Sequence, residues 1–148
     1  MVFIEDREGE FDAPIDKVWK FVQLHFTHRT KIHPHIKNLV TEMPDNNTFI
    51  ISWDDNIDGQ PVRIKRKGTI FYPVGIAYEM MEGPFAGSTY FIYYIPREND
   101  KTNVVVAGEF RSSFVDPDSD ENDEKLCSMV LSTFEKVFEE DCEYLKNI

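Results

Sequence analysis

The stretch that decides the fold is EGEFDAPIDKVWKFVQLHFTHRTKIHPHIKNL, residues 8 to 39. A charged, strand-like run ends at Phe11 and a helix begins almost at once. Asp12 or Ala13 stands at the capping position. Pro14 suits the first helical position, where its missing N–H is no loss, and Asp16 lies where the helix dipole favours an acid. Ile15, Val18, Trp19 and Val22 recur at helical spacing, which predicts a helix over about 14–25. Residues 26–35 allow a second short helix closed by Pro34, because proline disfavours helical geometry in the residue before it.

Beyond Pro34 the period changes to two. Strands are predicted at 36–43, 48–54, 61–72, 75–82, 88–96 and 103–114, separated by the turn signals PDNN, NIDGQP, YPVG, GPFAG and RENDKT. With the opening segment VFIEDREGEF they make seven strands, and such short connections imply one antiparallel sheet. The last segment, KLCSMVLSTFEKVFEEDCEYLKNI, puts Leu126, Val130, Phe134, Val137, Phe138 and Leu145 on one broad face. Ser128, Ser132, Glu135, Glu139 and Glu143 lie opposite, so a long amphipathic helix is expected, roughly 30 Å in span and able to cross the whole sheet. The acidic run DPDSDENDE before it suits a helix N-terminus.

This order of elements, with Phe11, Ala13, Pro14, Val18 and Trp19 at the first strand-helix junction, resembles the START-like helix-grip superfamily. That superfamily includes the polyketide cyclases and dehydratases and the birch-pollen allergen proteins. The resemblance covers essentially the whole chain and implies one α+β domain, residues 1–148. In it a seven-stranded curved antiparallel sheet grips the long C-terminal helix, with two short helices between strands 1 and 2 and a ligand cavity inside.

Composition restricts the function. A chain of 148 residues is long enough for one well-filled domain. Its 12 Phe, 6 Tyr and 2 Trp can fill a core or line a pocket. A net charge of -11 repels phosphate backbones, so no nucleic-acid partner is expected. The basic run RIKRK, 63–67, alternates with apolar positions and reads as one solvated strand face. No apolar run approaches the ~20 residues of a membrane span, and the first residues lack the pattern of a secretory signal. A cytoplasmic protein without membrane insertion is expected. Cys127 and Cys142, about 22 Å apart along one helix, suit reduced thiols.

Alternate strand positions offer Trp53, Tyr78, Met80, Tyr90, Ile92, Tyr94 and Phe110 as ligand-binding residues, joined by Leu131, Phe134 and Phe138 from the helix. Phe91, Tyr93 and Ile95 form the rival set, because a shift of one residue exchanges the two faces. His33 and His35 flank Pro34, where the resemblance implies a cavity entrance. Glu109 and Arg111 are further polar candidates if their face is the concave one.

No catalytic nucleophile, cofactor fingerprint or zinc spacing is found. His25 and His28, one helical turn apart, are at most half of a metal site, and no metal is expected. DDNIDGQPVRIK starts like a calcium loop but has Lys65 where the bidentate glutamate belongs. The leading expectation is therefore a binder or carrier of a small hydrophobic molecule such as a lipid, isoprenoid or aromatic metabolite. A cyclase- or dehydratase-like enzyme is the alternative. A protein-interaction module of the chaperone-ATPase-activator type, with its protein partner unknown, is the third reading.

Overall fold

The structure, a computed structural model, describes residues 1–116 and 119–148. Strand β1 (Val2–Phe11) leads into helix α1 (Ile15–Ile32). Strands β2 (Lys37–Glu42), β3 (Thr48–Ile57), β4 (Gln60–Phe71), β5 (Gly75–Glu82), β6 (Thr89–Arg97) and β7 (Lys101–Phe110) follow, and helix α2 (Asp120–Lys146) closes the chain. All seven strands belong to one antiparallel sheet in the order β1-β7-β6-β5-β4-β3-β2. Consecutive strands pair as a meander, and β1 closes the far edge beside β7.

The two short helices expected before β2 form one helical segment broken at His28, whose φ of -125° and ψ of 17° interrupt the regular geometry. Their apolar stripe is buried as read, with Val18, Trp19, Phe21 and Val22 in the core. The start of α1 is pinned by Thr102, whose buried hydroxyl donates to the Ala13 carbonyl at 2.8 Å. Trp19 Nε1 donates to the Pro73 carbonyl at 3.2 Å, fixing α1 against the β4–β5 turn.

The acidic run before α2 contains Pro117 and Asp118, which lie outside the described residues. From Ser119 onward its reading holds. The Ser119 hydroxyl caps the helix by accepting from the Asn122 N–H at 3.1 Å, and Asp120, Glu121 and Asp123 occupy the first turn. At 27 residues the helix is about 40 Å long and lies across the sheet's concave side.

Which strand face is concave is now decided. Phe49, Ile51, Trp53, Ile76, Tyr78, Met80 and Tyr90 are buried, whereas Tyr93 and Ile95 are exposed on the convex face. Gly68 makes a large ring fit on that concave face. Opposite Phe49 in the ladder, it lets the phenyl ring lie so close that a Cβ would sit 2.2 Å from the ring's Cζ. No helix among the described residues is long and apolar enough to cross a membrane.

Candidate functional site

Between the concave face and α2 lies a cavity of about 650 Å³. That is within the range of roughly 300–1,000 Å³ typical of small-molecule sites. Its wall is rich in aromatic rings. Tyr78 stacks on Tyr90 (centroids 5.1 Å apart), Tyr90 stacks on Phe110 (5.3 Å), and Phe134 of α2 meets Tyr90 edge-on. The exposed members of its lining, among them Asn56, Asp58, Lys125, Ser132 and Lys136, place the mouth between the β3–β4 turn and α2.

Of the sequence candidates, Trp53, Tyr78, Met80, Tyr90, Ile92, Tyr94, Phe110 and Phe134 line this cavity, as do His33 and His35. Four do not. Leu131 packs partly buried against the core, and Phe138 is turned toward β1, where it stacks on Phe11 at 4.9 Å. Glu109 and Arg111 are exposed: Phe110 is the inward residue of that strand end, and alternation sends its neighbours outward.

The chemistry comes from residues the sequence reading passed over. Arg66 points into the cavity from the middle of β4, beside a register irregularity between Lys65 and Arg66 in the β4–β5 ladder. Such bulges re-aim a side chain. Its guanidinium lies over the Tyr78 ring (4.4 Å) and near the Trp53 ring (5.4 Å), and Nη1 donates to the Tyr90 hydroxyl at 3.0 Å. Arg66 keeps some accessible surface, as a side chain against a hollow must, yet its Nε is fully covered and has no hydrogen-bond partner. Arg29, 6 % exposed, reaches the same cavity from α1.

Among the described residues the arginine ion pairs are Arg7–Glu5 and Arg63–Asp54, so neither cavity arginine has a carboxylate partner. Both remain cationic at neutral pH. Burial and the charge of Arg66 bring Arg29 down to about 10. Burial also works against the charge on Arg66, but the neighbouring Tyr90 and Tyr78 outweigh it and hold its pKa above the ordinary value. Burial raises Tyr90, and raises Tyr94 further, so both keep their phenolic protons.

The histidines occupy the α1–α2 side. His25 Nδ1 donates to the Phe21 carbonyl at 3.1 Å, and its Nε2 stands 3.0 Å from Asp141 Oδ1. His33 Nε2 also stands 3.0 Å from Asp141 Oδ1, and its Nδ1 lies 3.3 Å from Glu140 Oε1. Burial lowers the pKa of His25 despite its carboxylate neighbour. Burial alone would raise Asp141, but the hydrogen bonds and charges of His25 and His33 hold it below the usual carboxylate value. His35 is 3.3 Å from Glu140 but out of line for a hydrogen bond. His28 points elsewhere, to the Thr27 hydroxyl.

No protein-family model and no curated protein sequence matches the chain. Solved structures do. Ara h 8.0201 superposes with a TM-score of 0.74 at 13% identity, covering 99% of both chains. The fold is the START-like helix grip. The Zhui aromatase/cyclase from Streptomyces shares it (TM-score 0.71, 14% identity, 97% of this chain and 90% of that one). A START superfamily protein from Mycobacterium smegmatis does too (TM-score 0.71, 19% identity, 97% and 98%). At these identities the likeness concerns the helix grip alone.

Proposed function

We propose that the protein binds a small hydrophobic molecule carrying one anionic or strongly electron-rich oxygen group, with the apolar body against the aromatic wall and the oxygen on Arg66 and Arg29. The observation that carries this reading is the pair of cavity guanidiniums with no carboxylate in ion-pair contact among the described residues, Asp141 acting on Arg29 only at longer range. A buried cation without a counter-charge is costly, and a bound carboxylate or similar group would supply it through short charge-assisted hydrogen bonds. A simple apolar carrier would need neither arginine.

The test compares an amphiphilic carboxylic acid with its methyl ester by titration calorimetry and native mass spectrometry. The acid should bind one per chain and the ester at least tenfold more weakly. Equal binding of the two, or binding of neither, would overturn the reading.

A second, enzymatic reading is favoured by the Arg66–Tyr90 pair, which could also hold the oxygen of an enolate. A fixed cation and a phenolic O–H stabilise the charge that develops when a proton leaves the carbon beside a carbonyl, the first step of cyclisation or dehydration. Accelerated exchange of that proton for deuterium in a bound β-diketone, followed by NMR, separates this reading from carriage. No acceleration would leave carriage alone.

A further inference from the structure

The Asp141 contacts do not balance as hydrogen bonds. Two neutral imidazoles carry two N–H protons, but His25 and His33 direct all four ring nitrogens at oxygens: the Phe21 carbonyl, Glu140, and Asp141 Oδ1 twice. A carbonyl only accepts, so a neutral His25 carries its proton on Nδ1 and turns its Nε2 lone pair to the carboxylate. If His33 likewise gives its proton to Glu140, a second lone pair converges on the same oxygen. Three electron pairs then meet at one point with no positive charge between them.

We infer that His25 Nε2, His33 Nε2 and Asp141 Oδ1 form a binding site for one divalent transition-metal ion in the cavity wall. One donor atom from each of the three residues lies within 4.8 Å of the other two, and both nitrogen-to-oxygen distances to Asp141 Oδ1 are 3.0 Å. Bonds of about 2.1 Å at right angles place neighbouring ligands about 3.0 Å apart, whereas tetrahedral angles would spread them to about 3.4 Å. Each histidine nitrogen therefore stands from the Asp141 oxygen at the spacing of neighbouring octahedral ligands, and an ion would draw the two nitrogens in around it. Two imidazoles and one carboxylate, with the other positions open, make a set suited to iron(II) and its neighbours.

The surroundings agree. Ligating histidines usually donate the second ring N–H to a carbonyl or carboxylate, and here Phe21 and Glu140 stand in those places. Of the charged groups facing the site, Arg29 opposes a cation, but Asp141 and Glu140 outnumber it. All three ligands line the cavity, so the remaining coordination positions open toward whatever molecule or water occupies it. The spacing of the histidines gave no sign of this, because the third ligand lies 116 positions after His25.

The inference is tested with metal alone, independently of any organic ligand. Chelator-stripped full-length protein is titrated with cobalt(II), following the visible spectrum and calorimetry. One equivalent should bind at micromolar or lower concentration, with the spectrum of an octahedral or five-coordinate mixed nitrogen and oxygen site. Asp141→Asn and His25→Gln should each weaken binding at least a hundredfold, and Glu140→Gln about 10–100-fold. Circular dichroism checks the fold of each variant. The acidic run near α2 can collect ions weakly, so Asp120→Asn with Glu121→Gln should leave the tight site unchanged. The inference fails if the wild-type protein binds no cobalt below millimolar concentration, or binds it equally well with Asp141 replaced.

Discussion

Two aromatic clusters of this molecule make an instructive pair. On the cavity floor, where β1 meets the last turns of α2, Phe11 stacks on Phe138 and meets Phe21 edge-on at 6.2 Å, and Phe21 stacks on Tyr144 at 6.0 Å. On the wall formed by β3 to β6, Trp53, Tyr78 and Tyr90 are just as buried but surround Arg66 and leave open volume. Aromatic content is alike in the two. What separates the two is a cation, set among the rings of the wall, that has no carboxylate partner among the described residues.

The largest effect should come from the floor. Phe11, 3 % exposed, contributes both a stacked and an edge contact, and Phe11→Ala opens a cavity in a packed region. A loss of about 3–5 kcal/mol is expected in urea unfolding. Phe11 also lines the cavity, so affinity should fall for an amphiphilic carboxylic acid and its methyl ester alike, and the preference for the acid should be unchanged because the charged wall is untouched.

On the wall the order should reverse. Arg66→Met keeps most of the side chain's length and apolar stem but removes the charge. Replacing a buried unpaired cation by a hydrophobic residue is neutral or stabilising for the fold, whereas a ligand carboxylate left without its partner loses about 2–5 kcal/mol of binding. Calorimetry should show at least a thirtyfold weaker acid with the ester hardly affected, and the melting temperature should be unchanged or higher. An Arg66→Met protein that unfolds like Phe11→Ala would make Arg66 a structural residue and erase the distinction between the clusters.

The same contrast explains what could be read in the sequence. The floor and the sheet follow local rules: helical spacing showed α1 and α2, and alternation showed the strands nearly to their ends. The two possible inward sets on β6 could not be ranked, because both Tyr90-Ile92-Tyr94 and Phe91-Tyr93-Ile95 are apolar enough to be buried. Arg66 was legible in principle. It shares the parity of Ile64, the inward side of β4, but the cations at Arg63, Lys65 and Lys67 made the run look like a solvated face. Asp141 also left a trace, as a carboxylate seven positions beyond Phe134 on the helix face that turns to the sheet. What no spacing could show is that α1 and α2 cross where His25 and Asp141 meet.

A smaller effect should come from the seam between the clusters. Gly68→Ala puts a methyl group against the Phe49 ring, which in turn contacts Tyr78 at 6.0 Å. The ring is a side chain and can move, so overpacking of about 1–3 kcal/mol is expected rather than loss of the fold. Because the displaced ring belongs to the cavity lining, this variant should lower stability and ligand affinity together. Arg66→Met should not do that, because it weakens binding without lowering stability.

The smallest effect is the most discriminating. The Tyr90 hydroxyl accepts from Arg66 at 3.0 Å and donates weakly to the Met80 sulfur at 3.9 Å, so among the described residues it is the one side-chain oxygen hydrogen-bonded to this cation. Tyr90→Phe keeps the stacked ring and should reduce stability by only about 1 kcal/mol. It also leaves an Arg66 N–H without an acceptor until a ligand arrives, so a carboxylate should bind somewhat more tightly to the variant than to the wild-type protein. If calorimetry instead shows binding weakened tenfold or more, the hydroxyl donates to the ligand itself. Tyr90 and Arg66 would then hold one oxygen together, which is the arrangement enolate chemistry requires and simple carriage does not.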